Sequence, residues 1–208
     1  MFEEEITAKN TENIDPYQED VSKRKGIVKE SFELMDVFVQ SVIVLILLFT
    51  FVFRIVGVVG DSMLPGLIGT NEDRGTVGDR LIVSQLFYTP KQGDVVIVTQ
   101  PIAGRNEPII KRIIAVEGQT IDIDEQKRVV LVDGKEIEET YLENYGITEK
   151  NDLELPVTLK EGEVFVMGDN RGNSLDSRFK ALGIVDERYI MGKAVFRIFP
   201  FDRIGLVK

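Results

Sequence analysis

From Val37 to Phe53 the chain reads VFVQSVIVLILLFTFVF, a run of 17 residues without a charge. A helix needs roughly 17–25 apolar residues to cross a bilayer, so this run is just long enough. A soluble core helix would show a polar face, and only Gln40, Ser41 and Thr50 interrupt this one. A cleaved leader is disfavoured: a long charged segment precedes the run, and no small-x-small site follows it. Lys23, Arg24, Lys25 and Lys29 precede the span, whereas only Arg54 lies close behind it. Excess basic charge stays on the cytoplasmic side. The expectation is three regions: a cytoplasmic segment 1–36, a transmembrane helix 37–54, and an extracytoplasmic domain 55–208. Residues 1–22 are acidic and polar, and the N-terminal segment is expected to be largely disordered.

Beyond the span the pattern becomes that of strands. Arg80–Ser84, Asp94–Thr99, Ile109–Val116, Thr120–Ile123, Arg128–Val132, Val164–Met167 and Lys193–Phe199 are short and rich in β-branched residues. Turn signals separate them, and Asp133-Gly134 suits a two-residue hairpin. No strand is regularly followed by a crossover helix. The fold class expected is therefore mainly β: one N-terminal transmembrane helix, then an antiparallel, barrel-like domain. Residues 138–160 are less patterned and read as a peripheral insertion or long loop.

The chain has no histidine and no cysteine among its 208 residues. That removes imidazole bases, thiol nucleophiles, disulfides and the usual zinc ligands. No metal or other cofactor is expected. A formal net charge of -10 argues against nucleic acid as a partner. A nucleophilic serine in such a chain must rely on a lysine or a carboxylate as its base. Ser62 lies in Gly60-Asp61-Ser62-Met63-Leu64-Pro65, where Gly60 allows an unusual turn and Pro65 ends a regular strand. The serine N–H would then be free to face an oxyanion. Taken alone, Gly-Asp-Ser reads more readily as an ordinary turn or a helix cap. Lys111 is flanked by Ile109, Ile110, Ile113 and Ile114, and burial there would lower its pKa. Strand alternation puts Lys111 and Arg112 on opposite faces; spacing leaves open which face is buried. A third segment, Gly168 to Arg178, is dense in polar residues. Asp169, Asp176, Arg112, Arg171 and Arg178 could form an ionic lattice beside the lysine; a solvated loop is the alternative.

Together these segments resemble the type I signal peptidases, membrane-anchored serine proteases with a Ser/Lys dyad, in their short single-anchor bacterial form. The resemblance runs from about Arg54 to the end. It rests on Gly60-Asp61-Ser62-Met63-x-Pro65, Gly93-Asp94-Val-Val-Ile-Val98, Lys111-Arg112-Ile-Ile, the ungapped stretch from Gly168 to Arg178, and Gly192-Lys193-Ala194-x-Phe196. The chain departs from the family pattern at Gly66, where threonine is usual, and at Ala115–Gln119, where Gly-x-Pro-Gly-Asp is usual. Gly60 also stands where some relatives carry a hydroxyl that helps the oxyanion.

The resemblance implies Ser62 as nucleophile and Lys111 as general base, with Ser174 orienting the amine. Asp169, Asp176, Arg178 and Arg112 would hold the scaffold. Substrate would add as an extended strand, with Val56, Val58 and Ile110 walling small pockets for the residues one and three before the cut. The implied partners are preprotein signal peptides ending in small-x-small, and the lipid bilayer. The implied place is the plasma membrane, single-pass, with the catalytic domain outside. Two other readings stand beside this one. A tethered β domain could bind peptides without catalysis. A self-cleaving Ser/Lys repressor is disfavoured because residues 1–36 carry no helix-turn-helix pattern.

Overall fold

A computed structural model describes residues 16–102, 107–142 and 148–208. Residues 1–15, where disorder was expected, and 143–147 of the expected insertion lie outside the described residues. The chain divides into two compact units, Met1–Phe49 and Thr50–Lys208.

The first unit is built on one helix, α1, Pro16–Phe51. Its part from Val28 to Thr50 is long and apolar enough to cross a membrane, and none of that stretch is buried. Phe38, Ile46 and Leu47 are each about half exposed or more. The helix begins well before Val37, so residues 16–36 are helical rather than disordered. Lys29 and Glu33 sit one turn apart with 3.9 Å between their charged groups. The helix also stops at Phe51, short of the expected limit at residue 54. Phe53 and Arg54 belong to a strand, because their backbone pairs with another strand far along the chain.

The second unit is mainly β, with three short 3-10 turns among the described residues. Its strands are β1 (Phe53–Gly57), β2 (Arg80–Ser84), β3 (Val95–Val98), β4 (Ile109–Ala115), β5 (Thr120–Asp124) and β6 (Val129–Val132). They continue as β7 (Lys135–Glu136), β8 (Val157–Thr158), β9 (Glu163–Met167), β10 (Val185–Asp186), β11 (Ile190–Phe199) and β12 (Gly205–Leu206). One sheet has the order β1-β2-β11-β3-β4-β9-β10, with β12 also on β11; a smaller one has the order β7-β6-β5-β8. All these pairings are antiparallel. The alternating and β-branched runs therefore lie where the sequence put them, to within a few residues at the ends. Asp133 and Gly134, both at positive φ, make the hairpin turn between β6 and β7. β1 escaped the sequence reading because its apolar residues continue the hydrophobic run of the helix.

The large sheet curls. β11 shifts register against β2 between Ala194 and Phe196 and again between Arg197 and Phe199, and against β3 between Ile190 and Gly192. Such bulges bend a strand and sharpen its twist. β4 ties the unit together. Ile110 belongs to one apolar cluster with Val58, Met63 and Leu81, Ile113 to a second with Val96 and Val166, and Ile114 to a third with Ile121 and Phe165. A side chain on β4 is thus held by packing on every side, which is what a reacting group requires.

Candidate active site

Ser62 follows β1 after a turn made at Gly60, whose φ of +75° suits glycine. The chain then folds back, with the Leu64 N–H donating to the Asp61 carbonyl at 3.2 Å and the Leu67 N–H to the Met63 carbonyl at 2.9 Å. Met63 and Leu67 are buried and pin the turn to the core, while Ser62 stays half-buried at the surface.

Lys111 arrives from the other side. It pairs across the sheet with Val96 and is only 3% exposed. Its Nζ lies 2.8 Å from Ser62 Oγ and donates to the Ile110 carbonyl at 3.0 Å. Burial pulls the ammonium down from 10.5 to about 8; the charges of Asp176 and Asp169 oppose this, and that of Arg178 assists it. Near neutral pH an appreciable fraction is therefore free amine. The amine can donate to the Ile110 carbonyl while its lone pair receives the Ser62 O–H. That is the geometry of a general base beside a nucleophile.

The opposite face of β4 carries Arg112, also 3% exposed. Its Nε and Nη2 donate to Asp169 at 2.8 and 2.7 Å, and its Nη1 donates to the Gly93 carbonyl at 2.8 Å. Its guanidinium also lies 3.9 Å from the centre of the Tyr141 ring. A second pair joins Arg178 to Asp176 at 2.8 and 2.9 Å, and Asp176 also accepts the Gly168 N–H at 3.0 Å. Arg178 continues to the Arg171 carbonyl at 2.8 Å. The expected lattice is thus a set of separate, saturated pairs linked through backbone.

Arg171 takes its carboxylate from elsewhere. It pairs with Glu139 and donates to Thr148 Oγ1 at 2.8 Å. Sequence reasoning missed Glu139, because it lies in the stretch taken for a peripheral insertion. The unmatched Arg171 within a dense ionic motif was the one signal that an acid had to come from outside it.

Two expectations require correction. Val58 does not wall the cleft: it is 2% exposed and packs in the core with Met63 and Leu81. Val58 does share a face with Val56, and both pack on this apolar cluster, but Val58 lies fully inside it while Val56 stays at its rim and borders the cleft. Ser174 is buried beside the site, but its Oγ has no hydrogen-bond partner among the described residues. The expected bond to Lys111 is not formed; the Lys111 amine is directed to Ser62 and Ile110 instead. The Ser174 hydroxyl packs against Gly168, where a Cβ would come within 2.3 Å of it and within 2.5 Å of the Ser62 carbonyl oxygen. Only glycine permits that approach.

Ser62 and Lys111 open onto a cleft of about 490 Å³. Val56, Gly57 and Gly60 line one side, Pro108 to Ile110 the other, with Asn173 and Leu175 also contributing. β1 and β4 are separated in the sheet by β2, β11 and β3, yet both border this cleft, because the sheet curls. Among the described residues β1 pairs with a strand on one side only. β4 meets β9 from Arg112 onward, so that among the described residues Ile109 to Lys111 have no strand on that edge.

The family model described as signal peptidase, peptidase S26, matches residues 31–199. A probable signal peptidase I-1 from Synechocystis sp. is 35% identical over 86% of this chain and 86% of its own length. A signal peptidase I from Bacillus licheniformis is 34% identical over 83% of this chain and 91% of its own. A solved signal peptidase I from Enterococcus faecalis V583 is 25% identical, with a TM-score of 0.42, covering 52% of this chain and 98% of its own. With a family match over most of its length and relatives above 30% identity, the chain belongs to the signal peptidase family, peptidase S26.

Proposed function

We propose that this chain is a membrane-anchored serine endopeptidase that removes signal peptides from exported preproteins after a small-x-small motif, with Ser62 as nucleophile and Lys111 as base. The observation that carries the reading is a buried amine, 2.8 Å from a serine hydroxyl, with its pKa drawn down to about 8.

The chemistry follows from that pair. A substrate strand enters between the open edges of β1 and β4, where main-chain hydrogen bonding aligns the scissile carbonyl. Val56 and Ile110 supply apolar walls that suit small side chains. Ser62 Oγ attacks the carbonyl carbon as its proton passes to Lys111 Nζ. The Ser62 N–H, which donates to no other group among the described residues, faces the developing oxyanion. The C–N bond breaks as Lys111 returns the proton to the leaving amine. Lys111 then takes a proton from water as the hydroxide attacks the acyl ester; the acyl C–Oγ bond breaks, Lys111 returns the proton to Ser62 Oγ, and the signal peptide leaves with a free carboxyl end. Asp169, Asp176, Arg112 and Arg178 hold the frame, and Ser174 lines it. α1 serves as the anchor, its basic N-terminal flank on the cytoplasmic side and the β unit outside. Tethering raises the effective concentration of substrates whose own apolar segment is in the bilayer.

The test is cleavage of a preprotein whose signal ends in Ala-x-Ala by the full chain in detergent. Ser62→Ala and Lys111→Ala are each expected to abolish cleavage while the circular dichroism spectrum stays that of the folded wild type. Because the base acts as free amine, kcat/KM should climb with pH to a midpoint near about 8. Wild-type turnover by either variant would leave a tethered peptide-binding domain as the better description.

A further inference from the structure

The Asp61 carbonyl and the Ser62 N–H belong to one peptide unit. That unit is planar and trans, so the two groups point in opposite directions. Whatever grips the carbonyl oxygen therefore aims the N–H. The Asn170 side-chain amide grips it, its Nδ2 donating to the Asp61 carbonyl at 3.0 Å. The Asn170 backbone N–H donates to the Ser62 carbonyl, also at 3.0 Å. One residue thus binds the carbonyls on both sides of the nucleophile, across 109 positions of sequence. The grip matters because the chain enters Asp61 through Gly60, at positive φ, and glycine restrains the approach to this segment little.

We propose that Asn170 is a positioning residue for oxyanion stabilisation: its side-chain amide, holding the Asp61 carbonyl, fixes the Ser62 N–H toward the cleft. The same hydrogen bond polarises the peptide and strengthens the N–H as a donor. This rests on the catalytic reading of Ser62 given above. It assigns a role to a residue that touches neither substrate nor the amine, and it separates the Asn170 side chain from its backbone, which any substitution retains.

The experiment compares Asn170→Ala and Asn170→Asp with the wild-type full chain in detergent, with rates normalised to folded protein by circular dichroism. Asn170→Asp keeps the shape but puts an oxygen where the donor was. Three quantities are measured: kcat and KM on a preprotein peptide, inhibition by a peptide aldehyde ending in Ala-x-alaninal, and binding of the product peptide ending in Ala-x-Ala. The aldehyde forms a hemiacetal on Ser62 whose oxygen takes the oxyanion position; the product peptide does not. In both variants kcat is expected to fall about 10–100-fold, somewhat less than deletion of an oxyanion donor costs, with KM within about twofold. Aldehyde affinity should fall by the same factor, product-peptide affinity should hold, and the Asn170→Ala pH midpoint should stay that of the wild type. A kcat within about twofold of wild type in both variants overturns the proposal. So does a loss shared equally by aldehyde and product peptide, since that reports general damage to the cleft. If Ser62→Ala is inert while the Asn170 variants cleave normally, this inference fails alone; if Ser62→Ala cleaves, the catalytic reading fails with it.

Discussion

Lys111 and Arg112 are consecutive cations on one strand, equally buried, and the molecule treats them in opposite ways. Arg112 meets a carboxylate through two parallel hydrogen bonds, a backbone carbonyl and an aromatic ring. Its charge is kept and neutralised, so that face of β4 is structural. Lys111 meets a hydroxyl and a carbonyl, with no carboxylate in hydrogen-bond contact among the described residues. Its charge is the costly state, so it is ready to be lost. Burial alone therefore makes neither a base nor a brace; what decides is whether the desolvated cation is given a counter-ion. Guanidinium suits the first role because it forks onto a carboxylate and stays protonated, and an amine suits the second because its pKa yields to its surroundings.

That contrast can be broken by exchanging the chemistry of the two sides. The largest effect is expected from Lys111→Arg, which retains a cation but removes the base. Cleavage of the Ala-x-Ala preprotein should fall at least about 10³-fold, the scale of losing a member of a catalytic pair. Substantial turnover would show that a free amine is not needed. Next comes the structural face. Arg112→Ala or Asp169→Ala strands a buried charge and should cost about 3–5 kcal/mol in urea unfolding at pH 7, with Arg112→Lys in between.

A subtler outcome is the pH dependence of stability. The lysine pKa falls from 10.5 unfolded to about 8 folded, so between these values the unfolded chain holds more protons. Stability should accordingly rise with pH across that window, by about 3 kcal/mol from this residue, and the full penalty applies below it. Lys111→Met should lack that rise, so the difference in stability between the two proteins should change by about 3 kcal/mol across the window; parallel curves would mean that the lysine is not desolvated. The smallest effect belongs to the surface. The Arg74–Asp61 pair has a guanidinium side chain that is 59% exposed, and Arg74→Ala should cost less than about 1 kcal/mol.

Much of this was legible in the residues. Alternation and β-branching marked Arg80–Ser84 and Ile109–Ala115 as strands. The missing histidine pointed Ser62 toward a lysine. What stayed hidden had a common cause. β1 was invisible because its apolar residues prolong the helix, and only pairing with Arg80–Ser84 makes it a strand. Val58 seemed a cleft wall because it shares a face with Val56, and only packing depth separates the two. Glu139 seemed peripheral because its partner, Arg171, stands 32 positions away.

The sequence by itself determined where most of the longer strands would lie, that a membrane-length apolar run precedes the β unit, and that any activated serine must lean on a non-imidazole base. These are local properties, carried by periodicity and residue type. Only the tertiary structure decided that Lys111 turns toward Ser62 and Arg112 toward Asp169. Those meetings span 49 and 57 positions of chain. They depend on a curled sheet that brings β1 and β4 to one cleft, and curvature arises from bulges and packing that no single segment encodes.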